Sequence, residues 1–287
     1  MREKIGFIGI GVMGKSMVRN LMKEGFPVVV YTRTKEKAAD LVNEGAGWKD
    51  SPKDVAESAD IIITMVGYPY DVENVYFGEG GIFSGVSKGK TVIDMTTSTP
   101  TLAKKIFTEA RKLEIAALDA PVSGGDIGAK NGTLSIMVGG NEQDFNKVQP
   151  ILSVLGNNIV FQGEAGAGQH TKMCNQIAIA SNMIGVTEAL VYARKAGLDP
   201  EKMLTSISTG AAGSWSLSNL IPRVLKEDYT PGFFIKHFIK DMGIALDEAK
   251  RMELELPGLE LAERMYKTLA KKGEENSGTQ ALVKYWE

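Results

Sequence analysis

The sequence is poor in the residues that bind metals and form disulfides. Its 287 residues include one cysteine, Cys174, and two histidines, His170 and His237. A single cysteine excludes a disulfide within the chain, which is typical of proteins from the reducing cytoplasm. Because soft metal ligands are so few, a zinc-dependent enzyme is not expected, and we predict no metal site.

Long apolar runs and an excess of one charge are also missing. No apolar run reaches the length that crosses a bilayer, and the apolar start of the chain, broken by glycines, lacks the cleavage site of a signal peptide. The formal net charge of −2 does not suggest a nucleic-acid partner, which requires a basic face. We therefore expect a cytoplasmic protein with no membrane or nucleic-acid partner, long enough for two domains.

The most informative stretch of the chain follows its first apolar strand. Residues 5–8 lead directly into Gly9-Ile10-Gly11-Val12-Met13-Gly14, which begins a helix. A G-x-G-x-x-G pattern in this context is typical of dinucleotide binding: the glycines make a tight turn, admit a pyrophosphate and let the helix pack on the strand. The pyrophosphate then rests on the positive end of the helix. An ordinary strand-turn-helix is the alternative.

The end of the second predicted strand indicates which dinucleotide is bound. Enzymes that use NAD usually place Asp or Glu there, to accept hydrogen bonds from the ribose. This chain has Thr32, Arg33 and Thr34, followed by lysines. A guanidinium and a hydroxyl suit a 2′-phosphate, which a carboxylate would repel; a solvated basic turn is the alternative. We predict NADP(H), with NAD as the second choice.

The chain changes character near Gly163. Before it, apolar runs typical of buried parallel strands (61–66, 91–95, 116–120, 134–140 and 159–161) alternate with helical segments, as in an α/β fold. After it, a helix predicted at 166–194 is followed by further helix signals and few strand signals. The prediction is an α/β Rossmann-type dinucleotide-binding domain at 1–162 with a parallel sheet, followed by an all-α domain at 163–287, joined by a long helix.

Hydride transfer to a carbonyl needs a general acid that protonates the oxygen. Histidine is the usual choice, yet neither His170 nor His237 has an obviously catalytic setting. Lys172 lies in the first turns of the long predicted helix, after glycines that allow close backbone approach, and Asn175 and Gln176 follow on or near its face. A solvated lysine, and amides that only pack the helix, are the alternatives.

A second candidate site lies at the carboxyl end of the strand that contains Asp119. Ligands of open α/β sheets bind outside these ends. Ser123, Gly124 and Gly125 offer a hydroxyl and backbone N–H groups to a carboxylate, although a structural turn is the alternative. Thr97, after the strand that contains Asp94, is placed similarly and would reach the cofactor.

Four ordered motifs together resemble the β-hydroxyacid dehydrogenase family, which includes 3-hydroxyisobutyrate dehydrogenases and tartronate or succinate semialdehyde reductases. The motifs lie at 6–14, 119–125, 166–175 and 240–241, and the resemblance covers essentially the whole chain. It implies that Lys172 is the general acid/base and that Ser123, Gly124 and Gly125 hold a substrate carboxylate. It also implies cofactor contacts from Val66, Thr97 and Lys240, and a homodimer or homotetramer.

One departure from the family pattern is Gln176. The family commonly has two asparagines after the lysine, of which the second contacts substrate, and glutamine adds a methylene at that position. The expected function is hydride transfer between NADP(H) and a short hydroxy acid or semialdehyde acid. The alternatives are a reductase of a larger hydroxyacid or of imines, and a catalytically silent NADP-binding or interaction protein.

Overall fold

The computed structural model describes residues 2–287, which form two compact units. The first unit ends at Lys172, and the second runs from Met173 to Glu287. Compactness thus divides the chain inside the long helix, whereas the sequence pattern changes before that helix. The domain boundary at 162/163 stays a prediction.

Within residues 2–172 the chain forms one sheet of nine strands. These are β1 (Ile5–Ile8), β2 (Val28–Tyr31), β3 (Gly47–Trp48), β4 (Ile61–Thr64), β5 (Thr91–Asp94), β6 (Ala116–Asp119), β7 (Val122–Ser123), β8 (Leu134–Gly140) and β9 (Gly156–Gly163). Their order is β3-β2-β1-β4-β5-β6-β8-β7, with β9 paired to β8. The predicted Rossmann-type arrangement is confirmed.

Apolar residues on both faces of the sheet explain why its central strands are continuous hydrophobic runs. In β4, Ile61 and Ile63 belong to the cluster that contains Met17 and Leu21, while Ile62 belongs to a different cluster. Alternate side chains of a strand point to opposite faces, so helices cover both. The helices of this unit are α1 (Val12–Lys23), α2 (Ala39–Asn43), α3 (Pro52–Ser58), α4 (Pro69–Phe77), α5 (Pro100–Lys112), α6 (Gly125–Asn131) and α7 (Glu142–Leu155).

The prediction of a wholly parallel sheet is wrong at β8. Strands β1 to β6 pair in parallel, but β8 is antiparallel to both β6 and β7. The segment between β6 and β8 holds only β7 and the seven-residue α6. A connection of this length keeps the chain at the carboxyl edge, so β8 starts there and runs back. Strand β9 is then parallel to β8.

The second unit is helical, as predicted. The predicted long helix is observed as α8 (Ala167–Lys195), which starts in the first unit, and it is followed by α9 (Pro200–Ile207), α10 (Trp215–Asn219), α11 (Ile221–Leu225), α12 (Ile235–Arg251) and α13 (Pro257–Leu269). The core of the unit includes Phe238 and Tyr266, whose rings pack edge to face with centroids 5.1 Å apart. Across residues 2–287, no helix combines the length and the apolarity that a membrane crossing requires.

Candidate active site

The loop between β1 and α1 contains the dinucleotide motif. Gly9 has a φ of 105°, and a Cβ added there would lie 2.2 Å from the Met65 carbonyl oxygen. A Cβ added at Gly14 would lie 2.1 Å from the Gly9 carbonyl oxygen. Both positions therefore require glycine for the turn and for close packing. A Cβ added at Gly11, in contrast, would meet nothing within 4 Å. No other part of the protein therefore fills the space beside Gly11.

The amino end of α1 carries no side-chain cap. Gly11 is its N-cap residue, and the first turn, which includes Val12 and Met13, contains no acidic residue. Backbone N–H groups at such an end lack intrahelical partners and carry the positive end of the helix dipole. Together with the open space at Gly11, this donor set fits the pyrophosphate of a dinucleotide.

Arg33 follows β2 and is both exposed and anchored. Its side chain is 76% exposed, and its Nη1 donates to Oδ1 of Asp71 at 2.8 Å. Asp71 is buried in the first turn of α4. Sequence reasoning missed this partner, which lies 38 residues away in the chain. Thr34 is exposed beside Arg33 and caps no backbone N–H group.

A buried carboxylate, Asp94, connects the two predicted cofactor loops after β4 and β5. Its Oδ1 accepts hydrogen bonds from the Thr64 hydroxyl at 2.8 Å and from the Thr96 N–H at 3.1 Å. The Thr96 hydroxyl in turn accepts from the Val66 N–H at 3.0 Å, and Thr97 is half-buried next to it. Burial raises the pKa of Asp94 to about 6, although its hydrogen bonds oppose the shift.

The carboxylate of Asp119, at the end of β6, binds the start of α8. Its Oδ1 accepts from the Gly166 N–H at 2.7 Å, and its Oδ2 accepts from the Gln169 N–H at 2.9 Å. Burial raises the pKa of Asp119, while these backbone hydrogen bonds lower it. Sequence reasoning placed Asp119 in a motif but gave it no role, because the donors lie far along the chain.

Lys172 lies in the second turn of α8 and is 6% exposed. Its Nζ donates to the carbonyl oxygen of Val122 at 2.8 Å. Val122 directly precedes Ser123, and Gly124 and Gly125 have φ angles of 128° and 63°, which glycine readily adopts. The structure therefore brings Lys172 next to the loop that was predicted to hold a carboxylate.

In the second unit, Asn175 and Gln176 belong to a chain of hydrogen bonds. Asn175 donates to the Gln176 side-chain oxygen at 2.7 Å, and Gln176 Nε2 donates to Oδ2 of Asp241 at 2.5 Å. The other oxygen of Asp241 lies 2.7 Å from Lys240 Nζ. Gln176 and Asp241 are both buried. The longer side chain of Gln176 thus reaches a carboxylate, and its contact with substrate stays a prediction.

Among residues 2–287, His, Cys, Asp and Glu side chains nowhere gather in threes as a metal site requires. The first unit instead combines an uncapped helix end, an exposed arginine and a buried lysine. Such groups bind anions and transfer protons.

Two family models together match nearly the whole chain. Residues 4–163 match the model described as the NAD binding domain of 6-phosphogluconate dehydrogenase. Residues 166–286 match the model described as NAD-binding of NADP-dependent 3-hydroxyisobutyrate dehydrogenase. The first match contains the glycine-rich loop, Arg33 and Asp119, and the second contains Lys172 and Lys240.

Similar proteins agree with these models. An uncharacterised oxidoreductase of Bacillus subtilis, YkwC, is 62% identical, with 100% of this chain and 99% of that protein covered. The 2-hydroxy-3-oxopropionate reductase of Escherichia coli is 41% identical over 98% of this chain and 96% of its own length. The structure of Mycobacterium tuberculosis 3-hydroxyisobutyrate dehydrogenase with L-serine matches with a TM-score of 0.91 and 28% identity, and both chains are fully covered. The chain is therefore an NAD(P)-binding dehydrogenase that belongs to the β-hydroxyacid dehydrogenase family.

Proposed function

We propose that the protein transfers hydride between NADP(H) and a short carboxylic acid that bears a hydroxyl or an aldehyde at the β position or near it. The observation that carries this proposal is the buried side chain of Lys172, whose Nζ donates to the carbonyl of Val122 directly before Ser123. This geometry supports a proton donor beside a carboxylate-binding loop.

The proposed cofactor contacts start at the glycine-rich loop. A bound nicotinamide dinucleotide supplies the hydride for reduction and accepts it in oxidation. The backbone from Gly9 to Gly14, through Ile10, Gly11, Val12 and Met13, binds the pyrophosphate, because its helix end is uncapped. Arg33 and Thr34 bind a 2′-phosphate and so favour NADP(H), a preference that the NADP-dependent enzyme named in the second family model also supports. Val66, Thr97 and, in the second unit, Lys240 complete the proposed cofactor contacts.

The proposed substrate contacts start at the loop after β7. Ser123 offers a hydroxyl, and Gly124 and Gly125 offer backbone N–H groups to the substrate carboxylate. Asn175 and Gln176 are assigned to substrate binding as well. The relatives support a small acid with a neighbouring oxygen: one is named for 2-hydroxy-3-oxopropionate, and another contains L-serine.

Lys172 performs the proton transfer in the proposed reaction. During reduction, Nζ gives a proton to the substrate oxygen as the carbonyl carbon becomes an alcohol carbon; during oxidation, the neutral amine takes the proton of the hydroxyl. The bond to the Val122 carbonyl orients Nζ. Burial of the side chain keeps bulk water from exchanging with it.

We also propose that the protein works in the cytoplasm as a homodimer or homotetramer. The oligomeric state is the one that the family resemblance implies, and large apolar side chains of the second unit, Tyr192 and Trp215, are 74% and 63% exposed. Light scattering on the purified protein measures the number of subunits.

The test is the rate of NADPH oxidation with glyoxylate and with succinic, tartronate and methylmalonate semialdehydes. On the best substrate, Lys172→Ala lowers kcat by about 10²–10⁴-fold, the usual size of a general-acid contribution, while the dissociation constant of NADPH stays within about twofold. Lys195→Ala, which removes an exposed lysine from the end of the same helix, is the matched control.

Near-normal turnover by Lys172→Ala would overturn the proposed mechanism. NADPH binding without turnover of any panel member would favour a larger substrate or a silent binding protein. Equal losses in Lys172→Ala and Lys195→Ala would show that the helix, not the ammonium, is what matters.

A further inference from the structure

Two buried carboxylates, Asp94 and Asp119, are not among the residues assigned to the proton transfer. They occupy neighbouring positions in the register of β5 and β6, and each is 4% exposed. Burying a carboxylate is costly unless hydrogen bonds compensate. The donors that each carboxylate gathers therefore indicate what it does.

The donors of Asp119 are backbone groups at the start of α8. One oxygen binds the Gly166 N–H and the other binds the Gln169 N–H. N–H groups in the first turn of a helix have no partner within the helix, and a side chain just before the helix usually caps them. Here the cap comes from 47 residues earlier in the chain. It fastens α8 to the sheet.

Two glycines make room for this contact. A Cβ added at Gly168 would lie 2.4 Å from the Met137 carbonyl oxygen and 2.8 Å from Oδ2 of Asp119. A Cβ added at Gly139 would lie 2.6 Å from Oδ1 of Asp119. Side chains at these positions would displace the carboxylate, so the backbone of β8 and that of α8 are both shaped around it.

The same turn of α8 is fastened at a second point. The Gln169 side chain accepts from the Ser98 N–H at 2.9 Å and donates to the Thr96 carbonyl oxygen at 2.8 Å. One turn further along the helix, Lys172 Nζ binds the Val122 carbonyl. Asp119 ends β6, and Val122 begins β7 shortly after it. This part of the chain therefore contacts α8 at two points: Asp119 binds the Gln169 N–H, and Val122 binds Lys172 Nζ.

We propose that Asp119 is a positioning residue for Lys172, acting as a cap from the sheet that sets where the start of α8, and with it the ammonium, lies relative to Ser123. This inference rests on the proposed function, in which Lys172 transfers the proton. A displacement of about 1 Å at a reacting group can cost about 10²-fold in rate. Asp94 accepts from Thr64 and Thr96, and neither of these residues belongs to α8.

The experiment compares Asp119→Asn and Asp119→Ala with Asp94→Asn, a control of equal burial on the neighbouring strand. In both Asp119 variants we expect kcat to fall by about 10–100-fold, with KM for the substrate and the dissociation constant of NADPH within about threefold. Amide hydrogen exchange at residues 166–169 should accelerate, because the N–H groups lose their acceptor. Asp94→Asn should leave this exchange unchanged, because Asp94 accepts from Thr64 and Thr96 and not from residues 166–169.

A double variant, Asp119→Asn with Lys172→Ala, distinguishes an effect of Asp119 through Lys172 from a general loss of structure. If Asp119 acts through Lys172, the double variant turns over no more slowly than Lys172→Ala alone. An unchanged kcat in the Asp119 variants, or a further loss in the double variant equal to the single loss, would overturn the inference. Should Asp119→Asn fail to fold, Asp119→Ala supplies the same comparison, and failure of both would make the role structural and overturn it too. High activity of Lys172→Ala would instead refute the proposed function.

Discussion

The amino ends of α1 and α8 differ in what satisfies their first-turn N–H groups. At α1, Gly11 is the N-cap, no side chain accepts from the first turn, and the space beside the glycine is open. At α8, the Asp119 carboxylate accepts from the Gln169 N–H of the first turn and from the N–H of Gly166, the residue just before the helix, and the neighbouring glycines are packed tightly against it. Both helices follow strands of the same sheet.

The difference shows how one physical property serves two purposes. The positive end of a helix attracts an anion whatever its source. Where the chain supplies no anion, as at α1, a ligand can provide it. Where the chain supplies Asp119, the end is closed to ligands and the helix gains a fixed position. A carboxylate that accepts from the first turn therefore distinguishes an anchored helix end from an open one.

Placing a carboxylate at the amino end of α1 should prevent a ligand anion from binding there. We expect Gly11→Asp to raise the dissociation constants of both NADPH and NADH by about a thousandfold, because the new carboxylate occupies the N–H groups and repels the pyrophosphate. The free energy of unfolding should rise by only about 0.3 kcal/mol, since Asp is a slightly better N-cap than Gly and the φ of −93° suits it. Fluorescence titration and thermal unfolding measure the two effects.

Gly11→Ala is the control for this change. It adds a Cβ to open space without adding charge, and a loss of less than about tenfold in affinity is expected. Equal losses for the alanine and aspartate substitutions would attribute the effect to bulk and weaken the electrostatic comparison.

The comparison extends to the carboxylates behind the two loops. Asp94 is buried without a helix end to stabilise its charge, and its folded-state pKa of about 6 exceeds its ordinary value of 3.8. The native state thus holds the proton more tightly, and the free energy of unfolding should fall by roughly 3 kcal/mol as the pH rises from about 4 to about 6, then level off. Urea unfolding across this range, with Asp94→Asn expected to flatten the curve, measures it.

Substitution of Arg33, at the proposed 2′-phosphate site, should weaken cofactor binding less than substitution at the amino end of α1. Arg33→Ala is expected to raise KM for NADPH by about tenfold and leave KM for NADH within about twofold, because only the first cofactor carries the phosphate that a guanidinium recognises. Initial rates with each cofactor measure the ratio. Lys37→Ala, a nearby exposed cation, is the control, and an equal shift in that variant would point to general surface charge.

Local patterns were enough to predict much of the first unit. The strand before Gly9, the glycine turn and α1 are encoded in consecutive residues, and the long apolar helix is observed at Ala167–Lys195. Periodicity and glycine spacing report on neighbours along the chain. The roles of Lys172 and Ser123 stay predictions, although the structure places Lys172 beside the Ser123 loop through Val122.

What the sequence could not show are contacts between distant residues. Asp71 binds Arg33 across 38 positions, and Asp119 binds Gly166 across 47. Neither carboxylate differs locally from an ordinary acid at a strand end or in a first helical turn. The antiparallel direction of β8 was not predicted for a related reason, because apolar runs look alike in parallel and antiparallel strands.

The bond between Lys172 and Val122 has a consequence for the proposed catalytic cycle. An ammonium has three N–H groups, and the amine left after proton transfer still has two. The N–H that points to the Val122 carbonyl therefore need not leave during turnover. The nitrogen can stay tethered in both protonation states, so each new cycle starts from the geometry in which the previous one ended.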